Sequence, residues 1–294
     1  MVIIFASGGV FSYNKFKNIW ELIFLIKLIA TDIDGTLVND DKKLSAKTIA
    51  TIKKARQAGI YVVLCTGRPL SGVAEYLEEL GLTSDDDYVI TFNGAAAQKV
   101  ASQEVLFKHT LEFDEFQELL DFSLANQIKH QIITPDNQIY TCDFDVSSYT
   151  VLDAFYTHMP LHVRTKAGLP QDLTCAKFMW ADQKENLDRG EKILPAKLKN
   201  GLYTVRSEDW FFEFQNAKAT KGQAVYQLAE HLGIKPEEVM TVGDQQNDLS
   251  MLTPDFFGVA MGNGNDLVKA AAKVTTASNN DDGLAQAIEK YVLN

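Results

Sequence analysis

Apolar positions along the chain fall into short unbroken runs separated by stretches with a period near 3.6. "IKLIATD" (26–32), "IYVVLCTG" (60–67) and "DYVITFNG" (87–94) are runs of strand length. Runs with no polar alternation predict strands buried on both faces. Between them, "LSAKTIATIKKARQAG" (44–59) places Ile49, Ile52 and Ala55 on one helical face. Ser45 is its N-cap and Gly59 closes its end. "SGVAEYLEELG" (71–81) predicts a second helix that stops at Gly81. This βαβαβ order calls for a parallel sheet with helices on both faces, a three-layer Rossmann-like α/β core.

The same rhythm returns near the C-terminus. "TKGQAVYQLAEHLG" predicts a helix, "EVMTVGD" a strand, "NDLSML" a short helix and "FFGVAMG" a strand. "NDLVKAAA", "KVTTAS" and "GLAQAIEKYVL" continue the alternation to the end. The middle of the chain is different. A helix at "DEFQELLDFSLANQ" precedes a hairpin turning at Pro135-Asp136-Asn137. Strands at "AKFMWAD", "LYTVRSED" and "WFFEFQN" surround a helix near 185–199. These features predict an inserted α/β cap, residues 95–208, inside a core made of 25–94 and 209–294. Residues 1–24 carry apolar patches broken by Gly8, Gly9, Asn14, Lys15 and Lys17, and read as an upstream extension. A weak amphipathic membrane anchor is the alternative for that segment.

Composition narrows the function. The 294 residues are 46% hydrophobic and 23% charged, enough for a normal core. The net charge of -11 argues against a nucleic-acid binder. Cys65, Cys142 and Cys175 are far apart and form no CxxC pair, which fits a reducing cytoplasm and no zinc site. No run reaches the roughly 18–20 apolar residues of a membrane span. His158 and His162 flank Pro160 and read as ordinary loop residues. "SDDD" (84–87) reads as a solvated loop, "GNGND" (262–266) as a tight turn before a helix. The aromatics Trp180, Trp210, Phe211 and Phe212 read as cap core.

The candidate chemistry sits at strand ends. Asp32, Thr66 and Asp244 each end a predicted strand, and ligands of open parallel sheets bind at that edge. Asp32 and Asp34 are two apart, and Gly35 lets the backbone turn away behind them. Asp244 and Asp248 are four apart and share a face if a helix starts there. Four carboxylates in one cavity repel unless they hold a cation, and an all-oxygen set suits Mg²⁺. Thr66, Gly67 and Arg68 supply donors for an anion at a helix start. Lys221, at the start of another helix, supplies a point charge.

"DIDGT", "CTGR", "TKG" and "GDQQND", in this order, resemble the four signature motifs of the haloacid dehalogenase-like hydrolases. "FNGA", "AMGNGNDLVKAAA" and "SNNDDGLAQAI" resemble the Cof-type branch with its type IIB cap. The resemblance implies a phosphatase for small phosphorylated metabolites such as sugar phosphates, a monomer or homodimer. It implies Asp32 as nucleophile, forming an aspartyl-phosphate, and Asp34 as general acid/base. It implies Mg²⁺ on the Asp32 carboxylate, the Asp34 backbone carbonyl and Asp244, with Asp248 orienting the metal shell. Thr66, Gly67, Arg68, Lys221 and Asn247 are then the phosphate contacts. A phosphosugar mutase and a non-catalytic phospholigand sensor are the alternatives.

Overall fold

The computed structural model describes residues 26–111 and 113–293, so the expected extension at 1–24 lies outside the described residues. The strands of the core are β1 (Leu28–Thr31), β2 (Tyr61–Cys65), β3 (Tyr88–Thr91), β4 (Ala96–Lys99) and β5 (Val105–Lys108). Those of the inserted layer are β6 (His130–Ile133), β7 (Ile139–Thr141), β8 (Leu161–Val163), β9 (Lys177–Ala181), β10 (Leu202–Glu208) and β11 (Phe211–Asn216). The core resumes with β12 (Val239–Gly243), β13 (Phe257–Ala260) and β14 (Val274–Thr275). The helices are α1 (Ala46–Gln57), α2 (Ala74–Leu80), α3 (Phe113–Ala125), α4 (Ser148–Thr157), α5 (Lys184–Ile193), α6 (Lys221–His231), α7 (Asp266–Ala271) and α8 (Gly283–Tyr291).

The first sheet runs β14-β13-β12-β1-β2-β3-β4-β5. β1 lies between parallel partners, Ile29 opposite Met240 of β12 and Val62 of β2. Its side chains therefore meet helices on both faces. Ile29 packs with Ile52 of α1 and Ile288 of α8; Leu28 and Ala30 pack with Val225 and Leu228 of α6. That double burial explains the unbroken apolar run. α1 starts where Ser45 Oγ accepts from the Thr48 N–H at 3.0 Å, and the chain turns out of it at Gly59, φ +81°. α2 ends at Gly81 in the left-handed region, as its sequence predicts.

The second sheet runs β10-β11-β9-β6-β7-β8. One face is covered by α3 and α5: Phe116, Leu119 and Leu187 pack there with Phe178, Trp180 and Phe214. The other face turns Ile133, Met159 and Met179 toward Phe92 of the core. The 134–137 turn joins β6 to β7, with Asn137 at φ +62°.

The strand pairings do not change over at 95 and 208, the expected limits of the cap. Asn93 and Gly94, at φ +56° and +98°, reverse the chain so that β4 pairs antiparallel with β3 and β5 with β4. Both strands thus extend the core sheet, making it mixed rather than all parallel. At the other end β11 pairs with β9 and β10, because only there are Phe212 and Phe214 buried. The inserted layer runs from α3 through β11. In the 84–87 loop Ser84, Asp85 and Asp86 are exposed as expected, and only Asp87 is buried, accepting from Ser84 and Arg56. Trp210 lies at the surface, stacked on Tyr149. His162 belongs to β8 and bonds Gln138. No helix among the described residues is long and apolar enough to cross a membrane.

Candidate active site

β1, β2 and β12 end side by side, and so do the residues that follow them. Asp32, just past β1, is 6% exposed. Lys221, the first residue of α6, is wholly buried and donates to Asp32 Oδ1 and Asp248 Oδ1, at 2.6 Å each. α6 begins here because Thr220 Oγ1 accepts from the Gln223 N–H at 3.2 Å. Gly222 lets the helix start seat against the 246–251 turn: a Cβ there would lie 1.9 Å from the Ser250 carbonyl oxygen. Burial opposes a charged lysine, but Asp32 and Asp248 outweigh it and hold the ammonium above the ordinary lysine range.

The carboxylates are not equivalent. Burial pushes the Asp32 carboxyl up to about 7 despite Lys221, and Asp248 adds to the rise. Burial likewise pushes Asp244 up to about 6, with the Thr36 hydroxyl, 2.9 Å away, restraining the shift. Oxygens of Asp32, Asp244 and Asp248 lie within 4.8 Å of one another. Asp248 accepts three bonds: Oδ2 from the Asp244 and Gln245 N–H groups at 2.9 Å, Oδ1 from Lys221. Its role in this arrangement is to shape the loop and hold the lysine. Gly35, at φ +76°, is demanded sterically, since a Cβ there would sit 2.4 Å from Asp244 Oδ2. The donor set is all oxygen, hard and desolvated, so it fits a small divalent cation.

Asp34 stands apart from this acid cluster. Arg68 grips it through two bonds, Nε to Oδ2 at 2.9 Å and Nη2 to Oδ1 at 2.7 Å, and Lys42 adds a third at 2.8 Å. Burial raises this carboxyl, but the Arg68 and Lys42 bonds outweigh it and hold it below the usual range. Arg68, expected on phosphate, is thus committed to Asp34 here, because its planar fork matches a carboxylate. Thr66 and Gly67 line the cleft between the sheets, and Thr66 Oγ1 accepts from the Arg68 N–H at 3.2 Å. Asn247 is exposed on the cleft and donates to Asn93 Oδ1 at 3.1 Å.

Two contributors have no role assigned from sequence. Thr36 positions Asp244. Asn263, within "GNGND", donates to the Gly35 carbonyl at 2.8 Å and accepts from the Asn279 N–H, joining three loops. The adjacency of Thr36 to Asp34 is a usable signal; Asn263 gives none, because its partners are far away in sequence.

Above this floor lies a cleft of about 420 Å³, roofed by β9, β11 and α4. A buried carboxylate-lysine pair beneath a roofed cleft is an arrangement suited to an anionic ligand. The model of the haloacid dehalogenase-like hydrolase family matches residues 29–288. YxeH of Bacillus subtilis, which carries a provisional phosphatase name, is 40% identical over 269 residues, 92% of this chain and 99% of its own. The 5-amino-6-(5-phospho-D-ribitylamino)uracil phosphatase YitU of the same organism is 29% identical, over 90% of this chain and 97% of its own. A solved haloacid dehalogenase-like hydrolase from Bacteroides thetaiotaomicron shares 30% identity at a TM-score of 0.78, covering 90% and 99%. The chain belongs to the haloacid dehalogenase-like hydrolases, in the Cof-type phosphatase branch.

Proposed function

We propose that this hydrolase is a cytoplasmic, Mg²⁺-dependent phosphatase of small phosphomonoesters, sugar phosphates foremost, working through an aspartyl-phosphate on Asp32. The observation that carries this reading is the buried Asp32–Lys221–Asp248 chain beside Asp244, at the floor of a cleft only about 420 Å³ in size. Such a space suits a metabolite and excludes a folded phosphoprotein. Similarity to YitU, named for a phospho-D-ribitylamino compound, supports a polyol or sugar phosphate.

Asp32 attacks phosphorus as the bond to the leaving alcohol oxygen breaks, and Asp34 gives that oxygen a proton. Asp34 then takes a proton from water, and the hydroxide released attacks phosphorus and frees Asp32 with inorganic phosphate. Asp34 can carry a proton only after the grip of Arg68 and Lys42 on it loosens. The phosphoryl oxygens of an arriving substrate compete for the same guanidinium, so Arg68 exchanges a carboxylate for a phosphate and leaves Asp34 on Lys42 alone. Lys221 and Thr66 hold phosphoryl oxygens, with Gly67 and Asn247 at the rim. Asp32, Asp244 and the Asp34 carbonyl would hold Mg²⁺, with Asp248 behind them, and the ion would supply the charge neutralisation that an anionic nucleophile needs beside an anionic phosphate.

The test is phosphate release from phosphorylated sugars with Mg²⁺, in ¹⁸O-labelled water. One label per phosphate and loss of activity by about a thousandfold or more in Asp32→Asn are expected. Unlabelled phosphate, or an Asp32→Asn variant as active as the parent, would remove hydrolysis through Asp32.

A further inference from the structure

Resting on that reading, we infer that Lys177, Glu213 and Asp153 on the underside of the cap select the leaving group. They admit neutral or amine-bearing, hydroxyl-rich alcohols and turn away those with a second anion. The three come from β9, β11 and α4 and line the same cleft as Asp32 and Asp34. The Lys177 and Glu213 side chains, 11% and 9% exposed, pair at 3.1 Å. Ser207 donates to the other Glu213 oxygen at 2.6 Å. Behind them the wholly buried Gln131 donates to Asp153 Oδ2 at 2.5 Å, while its own Oε1 has no partner among the described residues.

A roof meant only to cover the cleft would be more stable in apolar side chains, since desolvating charges costs more than a close pair returns unless the remaining donors and acceptors are satisfied. Lys177 has three N–H donors and pairs with Glu213 alone among the described carboxylates. The Asp153 oxygen turned from Gln131 accepts from no described residue. A donor and an acceptor in one small cleft are what adjacent hydroxyls complete. The charge is unbalanced as well. With Glu208 at the rim, the roof sets three carboxylates against one ammonium. In a low-dielectric cleft this repels a carboxylate or second phosphate on the far end of the substrate.

The experiment compares kcat/KM for sorbitol 6-phosphate with that for 6-phosphogluconate, two open chains that differ only in a hydroxymethyl or a carboxylate at the far end. The ratio does not depend on how much of a variant is folded. The wild type should favour sorbitol 6-phosphate about tenfold or more. Glu213→Gln should lower the ratio about threefold, and Lys177→Met should raise it about threefold. Two neighbours shifting it in opposite directions is a result that simple cap damage does not give. A ratio near one in the wild type, or variants that move it together or not at all, would overturn the inference. If p-nitrophenyl phosphate is hydrolysed while those ratios fail, only the roof assignment falls. If the wild type with Mg²⁺ hydrolyses none of the three, the phosphatase reading falls with it.

Discussion

Asp32 shows at residue scale how far a local motif speaks. "DIDGT" and "GDQQND" expose the acids directly, because strand-end carboxylates in an apolar context need a cation. They do not show that Asp32 and Asp34 face different partners, one a lysine from residue 221 and the other an arginine from residue 68. That split depends on tertiary convergence. It has a measurable consequence in pH. The folded pKa of Asp32 is about 7, against about 3.9 in an unfolded chain. Between those values the folded metal-free protein keeps a proton that the unfolded chain has lost. Metal-free stability should therefore fall as pH rises from about 4 to 7 and level off above. Mg²⁺ needs the ionised acids, so its stabilising effect should be largest above pH 7 and fade as pH drops through 7 and then 6, the value for Asp244. Melting temperatures with and without Mg²⁺ across pH 5–8 measure this; a Mg²⁺-induced rise as large at pH 5 as at pH 8 would contradict it.

At the scale of elements, helices and central strands were legible because burial on both sheet faces leaves a strong pattern. β4, β5 and β11 were not assigned to their sheets. Only β11 reads as a strand in the sequence; β4 and β5 follow from the Asn93-Gly94 reversal, and the sheet that β11 joins depends on where Phe212 and Phe214 find cover. The start of α6 matters most among these elements because it carries Lys221. Gly222→Ala would drive a methyl into the Ser250 carbonyl. It should cost about 3 kcal/mol, near the upper end for overpacking, and reduce activity by displacing the lysine. Thr220→Ala, which loses only the cap, should cost about 1 kcal/mol. Chemical denaturation of both variants checks the order; equal losses would mean that the close approach is not limiting.

At the scale of the molecule, the cap rests on the core through few polar ties near the cleft. The Leu70 N–H donates to Asn137 Oδ1 at 3.1 Å, and Ser71 Oγ to the Thr157 carbonyl at 2.5 Å. Asn137→Gly keeps the left-handed turn but removes the first tie. A hydrogen bond worth about 1 kcal/mol predicts a roughly fivefold fall in kcat/KM, mostly in KM, if the tie holds the roof over bound substrate. Unchanged steady-state constants would assign this contact to the hairpin alone. The existence of a cap was legible in the sequence as a break in the βα rhythm, whereas its closeness to residues 70 and 71 was not. The ammonium of Lys221 gathers carboxylates from residues 32 and 248, with the whole cap threaded between the first of them and the lysine. During synthesis the first aspartate leaves the ribosome long before either companion, so the three groups can meet only after the segment carrying Asp248 has emerged. No truncated product lacking the last of these three segments can assemble the charge arrangement, so premature termination yields inert chains rather than unselective phosphatases.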